Sequence, residues 1–556
     1  MPIFMGCSII NETGYVILPP FGKWGMKSKI VSIFVAVSLI YLYGYARDID
    51  LNASLKPLGG AITSSGTAEP VTVSLSQMVQ APPTLDPDEE LHEEEGELIH
   101  KENWTYKTPH FSPKHFFQQD ESIEDELQRS PGLVQGPILK SGFLGIPNQG
   151  PPQPDCNIAV GPTRIMLAVN DQVAVYTKTG ERRFMTSFER WFSALSMAAE
   201  STLFDPKLVY DQQAGHFLFL CNARRHDKRS WFLLSISKTS DPEGEWVFYA
   251  LDMQLTGGVR EIFWADFPRM ALDQNAIYLT ANMTEFGSLG FRYAKIRVLR
   301  KSQVYQFRNI TWREFARLTD SHGYKAINIE PVLAFGASAS GYLVSTTPFD
   351  GFKLTLWSIA NPGTTNPKIS KKGIVVSSYQ FPPSAVQKGG NARLNTRDAG
   401  LYNAVFHNGS IYTAHNAAYD WGSGPVSAIR FYQIKTNGEL VQEITYGKNG
   451  YFYFYPVVMV DGRDNVVLGF NRCSASTFAG IFFTGRKAAD PLGKFQNLGR
   501  LVPGRTYYSI VFRGSEIGRW GDYNGIALDA DDSIYIYSEF VKTSTEWDSF
   551  VGQVQF

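Results

Sequence analysis

P-D-C-N-I-A-V-G, residues 154–161, opens a pattern that governs most of this chain. The same acidic or aromatic start, followed by a short apolar strand, returns as F-D-P-K-L-V-Y-D around Asp205 and A-D-F-P-R-M-A-L-D around Asp266. It returns again as I-E-P-V-L-A-F at Glu330, R-D-A-G-L-Y-N-A-V-F at Asp398, F-Y-P-V-V-M-V-D at Tyr455 and G-D-Y-N-G-I-A-L-D at Asp522. Each start leads through a turn into a strand rich in Ile, Tyr, Leu and Val, such as A-I-Y-L-T at Ala276 or S-I-Y-I-Y at Ser533. A β-rich unit that repeats at this spacing cannot bury its apolar face alone, and a radial array of such units solves that problem. The expected fold is all-β: a seven-bladed β-propeller over residues 133–556. The alternative is a six-bladed ring with an appended sheet, because Pro- and Lys-containing segments flank the unit at Glu330.

The 27 Tyr, 38 Phe and 49 Gly of this 556-residue chain suit strands and tight turns. A formal net charge of -1 gives no basic footprint for nucleic acid. Cys7, Cys156, Cys221 and Cys473 contain no C-x-x-C pair, which argues against a structural zinc site; one disulfide and fully reduced, core-packed thiols both remain open. No G-x-S-x-G, H-E-x-x-H or Walker loop is present, so the sequence offers no serine-hydrolase, zincin or nucleotide-dependent chemistry.

Residues 30–46 are almost wholly apolar and follow Lys23, Lys27 and Lys29. They read as a signal anchor with residues 1–29 as a cytoplasmic tail, or as a signal peptide whose translation starts at Met26. Both readings place the remainder outside the cytosol, membrane-anchored or secreted. Residues 47–132 hold Ser- and Pro-rich stretches and an acidic run from Asp86 to Glu97, and are expected to form an unfolded stalk. N-x-S/T sequons fall at Asn11, Asn52, Asn103, Asn282, Asn309 and Asn408, and matter in a host that glycosylates.

T-S-D-P-E-G-E-W, Thr239 to Trp246, resembles the Asp-box turn of sialidase-like propellers, and A-D-P-L-G-K-F at Ala489 is a weaker copy. In such turns the Asp caps a hairpin, a Gly takes positive φ and the aromatic packs on the blade, so Asp241 and Trp246 are expected to be structural. Together with P-D-C-N-I-A-V-G-P, A-D-F-P-R-M-A-L-D and R-W-G-D-Y-N-G-I-A-L-D, these motifs resemble secreted bacterial-type β-propeller proteins of largely unknown function across most of residues 155–556. The chain has no F/Y-R-I-P start, so the resemblance implies the fold rather than sialidase activity.

Aligning the units places Asp155, Asp205, Asp266, Glu330, Asp398 and Asp522 at one channel mouth, with Tyr455 in the remaining place. Three arrangements follow. The ring could hold a hard cation such as Ca²⁺ through oxygen ligands. A carboxylate pair drawn from Asp155 and Asp522 could perform acid/base work on a glycosidic bond with Tyr455 as nucleophile. Each carboxylate could instead bind backbone N–H groups of the next blade and hold the ring together. Arg397, Arg519 and Trp520 lie beside the ring acids and could face an anionic or glycan ligand, or the arginines could simply pair with the acids. The function expected from this pattern is an extracytoplasmic propeller engaging a glycan or extracellular protein, as a glycan hydrolase or lyase; the alternative is a non-enzymatic cell-surface scaffold with a structural cation.

Overall fold

The computed structural model describes residues 61–75, 116–120, 136–148, 153–287, 290–511 and 515–556. The hydrophobic stretch 30–46, the tail before it and the sequons at Asn11, Asn52 and Asn103 lie outside the described residues. Among those described, no helix is long and apolar enough to cross a membrane.

The described chain is all-β. Its strands form seven antiparallel meanders of four strands each. Their first strands are Asn157–Val160, Ser201–Asp211, Phe263–Leu272, Glu330–Phe335, Leu401–His407, Tyr451–Val460 and Gly525–Leu528. Each first strand lies against the first strand of the next meander, and the last lies against the first. Between the fourth and fifth meanders this contact becomes true parallel pairing, Val332 opposite Ala404 through Phe335 opposite His407.

Middle strands sit between neighbouring sheets and are apolar on both faces. Val466–Ser474 is buried at every position, which is why it reads as a continuous run rather than an alternation. The sheets pack closely enough that Gly341 admits no side chain: an added Cβ would meet the Tyr278 hydroxyl of the preceding meander at 1.8 Å. The unit at Glu330, the least regular in sequence, is thus packed against its neighbour like the rest.

Only three strands of the seventh meander come from the C-terminus. The fourth is β4 (Ile138–Leu144), which pairs antiparallel with Glu546–Gln555, Leu144 opposite Phe550. The first and last parts of the propeller-like region therefore share one sheet.

The expectation of an unfolded stalk is corrected at three places. β1 (Ile62–Ala68) extends the third meander, Ile62 opposite Ala316 through Ala68 opposite Ile310. β2 (Val71–Ser74) extends the second, Val71 opposite Phe248 through Ser74 opposite Glu245. β3 (Phe116–Asp120) runs parallel to the outer strand of the fifth, Phe116 opposite Glu443. Average composition concealed them: the inner face of β1 is Ile62, Ser64, Gly66 and Ala68, of which only Ile62 is a large apolar side chain. β1 covers an open sheet edge and adds Ile62 and Ala68 to the adjoining core.

The turn at Thr239 behaves as the Asp-box resemblance implied in most respects. Asp241 Oδ1 accepts the Glu243 N–H at 3.0 Å, and the buried Trp246 donates from Nε1 to Pro242 O at 2.9 Å. Gly244, however, does not take positive φ, whereas Gly493 of the weaker copy does, at 81°. Cys156, Cys221 and Cys473 are free and buried.

Candidate functional site

The first strands share, just before or within them, a backbone feature that the sequence motif does not spell out. Asp155, Asp205, Phe267, Asn328, Arg397 and Tyr455 all adopt left-handed conformations, with φ of 47°, 58°, 52°, 49°, 54° and 54°. This geometry is disfavoured for side chains as large as Phe, Arg and Tyr, so the surrounding contacts must impose it. It also corrects the alignment of the ring. Phe267, Asn328 and Arg397, not Asp266, Glu330 and Asp398, are the backbone equivalents of Asp155. Matching units by charge displaced three of them by one or two residues, enough to change where a strand side chain points.

The N–H of the left-handed residue is held from the preceding meander in three cases. Asn170 Oδ1 accepts from Asp205 N at 2.8 Å, Asn282 Oδ1 from Asn328 N at 3.1 Å, and Asn416 Oδ1 from Tyr455 N at 3.1 Å. Asn170 directly follows its second strand, while Asn282 and Asn416, in A-N282 and H-N416, lie in the later part of theirs, with C-N222 and F-N471 at matching places. Their recurrence was a readable signal that attention to carboxylates missed. Between the seventh and first meanders a carboxylate takes the part: Asp155 Oδ1 accepts Asp522 N at 2.6 Å, while Asp155 Oδ2 accepts Asn170 Nδ2 at 2.7 Å.

The other proposed ring members are brought near this centre in company with cations. Arg519 reaches both oxygens of Asp522, at 2.5 and 3.1 Å, and Arg397 approaches the same carboxylate at 3.5 Å. Arg269 donates to Glu330 at 2.6 Å. Arg269 and Arg397 stand over the Phe267 ring at 4.0 and 4.1 Å from its centroid. Asp398 accepts the Gly400 N–H at 2.6 Å and the Asn328 amide at 3.3 Å. The Tyr455 hydroxyl donates to Asn395 O at 3.1 Å, and burial pushes its pKa well up. Trp520 is fully buried against Phe454 and Tyr508. Among the described residues, no group of three or more His, Cys, Asp or Glu side chains is placed to hold a metal ion. Arg269, Arg397 and Arg519 place positive charge directly against Glu330 and Asp522.

Burial dominates the titration of these acids. Asp155 is raised to about 6 by desolvation and then by the Asp522 charge, against Arg519. Desolvation also raises Asp266 to about 6, opposed by Arg397 and Arg224, and Glu330 to about 7, opposed by Arg269 and Lys207. Glu539, unnoticed in the sequence, accepts the Gly521 N–H at 2.7 Å, and burial raises it well above the carboxylate range. His415 is buried in a strand, bonded to Tyr432 at 2.9 Å, and desolvation lowers it to about 3.

Two concavities matter. The first is a central cavity of about 80 Å³ lined by residues of all seven first strands. It is far smaller than the roughly 300–1,000 Å³ of ordinary ligand pockets. The second is a groove of about 770 Å³ between the first and seventh meanders, lined by Ser141 and Phe143 of β4, Lys178, Asp529, Asp531 and Tyr535. An ion pair between Lys178 and Asp529 crosses its floor.

No family model and no curated protein matches this chain. Among solved structures, a Dyadobacter fermentans protein of unknown function is similar over 64% of this chain and 96% of its own, at 10% identity and a TM-score of 0.31. A thermostable family-43 glycoside hydrolase matches over 64% and 90%, at 12% identity and a TM-score of 0.28. A phage phi92 endosialidase matches over 79% and 75%, at 7% identity and a TM-score of 0.36.

Proposed function

We propose that the chain is a seven-bladed β-propeller, closed by β4, that serves as a non-enzymatic extracytoplasmic scaffold for a glycan or other extracellular ligand. Support for closure is the unbroken order of first-strand neighbours and the cavity they share. The observation that carries the scaffold reading is the state of the three groups an enzyme would use. Both oxygens of Asp155, both oxygens of Asp522 and the hydroxyl of Tyr455 are engaged within the protein. Substrate would have to displace or share these bonds before any of the three could act. The groove beside β4 has the dimensions of a ligand site, which the central cavity lacks.

The test incubates the full chain with a panel of extracellular polysaccharides and glycoproteins, measuring retention and released fragments by mass spectrometry. Retention without fragments, weakened by Phe143→Ala, is the expected result. Fragment release would overturn the scaffold reading.

A second reading as a glycan hydrolase is favoured by one residue. Asp266 is only partly buried and is raised to about 6, a range suited to a general acid. Under that reading, Asp266→Asn abolishes fragment release.

A further inference from the structure

The central cavity has a wall whose charges do not balance. Its charged lining residues are Lys207, Arg269 and Glu330, two cations against one carboxylate. Lys207 comes from the first strand of the second meander and Arg269 from that of the third. Both are buried, with 9% and 3% of their surface exposed.

Their donors are underused. Arg269 gives one guanidinium nitrogen to Glu330 at 2.6 Å, while its other terminal nitrogen, Nη2, is buried without a hydrogen-bond partner. Lys207 Nζ makes no hydrogen bond or ion pair among the described residues. It rests on the Tyr523 ring, 2.8 Å from the centroid, with Phe267 at 6.0 Å. Asp205, Glu330 and Asp155 act on it through space but none lies within ion-pair distance, and a second cation nearby raises the cost of its burial. The lysine is accordingly lowered to about 7, by desolvation first and by Arg269 next.

We propose that this cavity binds one small oxyanion between Lys207 Nζ and Arg269 Nη2. The ligand would accept from both orphaned donors in a charge-assisted hydrogen-bonded pair. The volume of about 80 Å³ sets the size. That space is far below an ordinary ligand pocket and suits an anion of a few heavy atoms. The site is therefore separate from any glycan surface and does not depend on the scaffold reading.

Calorimetry tests it with inorganic phosphate and with acetate, titrated separately into the full chain. Saturable binding of either at one site per chain is expected, weakened at least about tenfold by Lys207→Met, which keeps the length of the side chain but not its charge. Tighter binding of acetate assigns a planar carboxylate, and tighter binding of phosphate a tetrahedral oxyanion. If Lys207→Met does not fold, Arg269→Lys, which retains the charge facing Glu330 and removes Nη2, is expected to show the same weakening. Absence of saturable binding of both anions, or equal binding by the folded variant, overturns the proposal.

Discussion

Asp155 Oδ1 accepts the backbone N–H of Asp522 at 2.6 Å, linking positions 367 residues apart. Its other oxygen holds Asn170, whose own amide oxygen holds Asp205 N–H. A single relay thus ties the seventh, first and second meanders at or just before their first strands.

Asn170→Ala removes both ends of that relay and leaves the buried Asp205 N–H without its acceptor. A loss of about 2 kcal/mol is expected, the usual cost of an orphaned buried donor. Denaturant unfolding measures it; a change no larger than that of an exposed Asn→Ala would show that the relay is not stabilising.

Stability is expected to fall as pH rises from about 4 to about 7. Asp155 and Asp266 at about 6 and Glu330 at about 7 lie above their ordinary values, so the folded chain holds protons that the unfolded chain has released. Where the native state binds more protons, unfolding free energy decreases with pH. The contribution is complete below the unfolded values and is lost as pH passes the folded ones. Lys207, lowered to about 7, acts in the opposite sense above that point, since the unfolded chain then binds the extra proton. Denaturation midpoints from pH 4.5 to 7.5 that rise steadily would contradict this assignment.

Chelator and added Ca²⁺ are both expected to leave the melting temperature unchanged. Arg519 and Arg397 face Asp522, and Arg269 faces Glu330, so the carboxylates have protein counter-charges. A rise in melting temperature that saturates with Ca²⁺ would restore a cation at the ring.

Gly66→Val is expected to detach β1 from the third meander. An added Cβ at Gly66 would meet the Trp312 ring at 2.3 Å, a clash that overpacking studies place at about 1–3 kcal/mol. The uncovered edge of Ile310–Ala316 would then be open to pairing with other chains. Light scattering reads the resulting self-association; a monodisperse variant with unchanged stability would mean that β1 is dispensable.

In a glycosylating host, Asn309 and Asn408 are expected to carry glycans and Asn282 is not. The first two are exposed, whereas the Asn282 amide is committed to Asn328 through bonds of 2.7 and 3.1 Å. Peptide mapping by mass spectrometry decides it, and occupancy at Asn282 would show that this latch forms late or not at all.

The strands and their repeating order were determined by the sequence alone. Runs such as V-V-L-G-F at Val466 and I-Y-I-Y at Ile534 have a periodicity and composition that only buried strands satisfy, and the turns between them follow from local backbone preferences. Tertiary structure alone decided the partners. β4 completes a sheet with residues some four hundred positions away, and β1 and β2 pair with edges they do not encode. The centre followed the same rule. Asp155, Asp205 and Asp522 were visible as a pattern, but the left-handed turns that set their direction were not. Nor was the Lys207–Arg269 pair, because those residues meet only where separate first strands converge. Local sequence fixes conformation over a few residues; which charge answers which, and which amide is left without an acceptor, depends on groups that the chain brings together only when it folds.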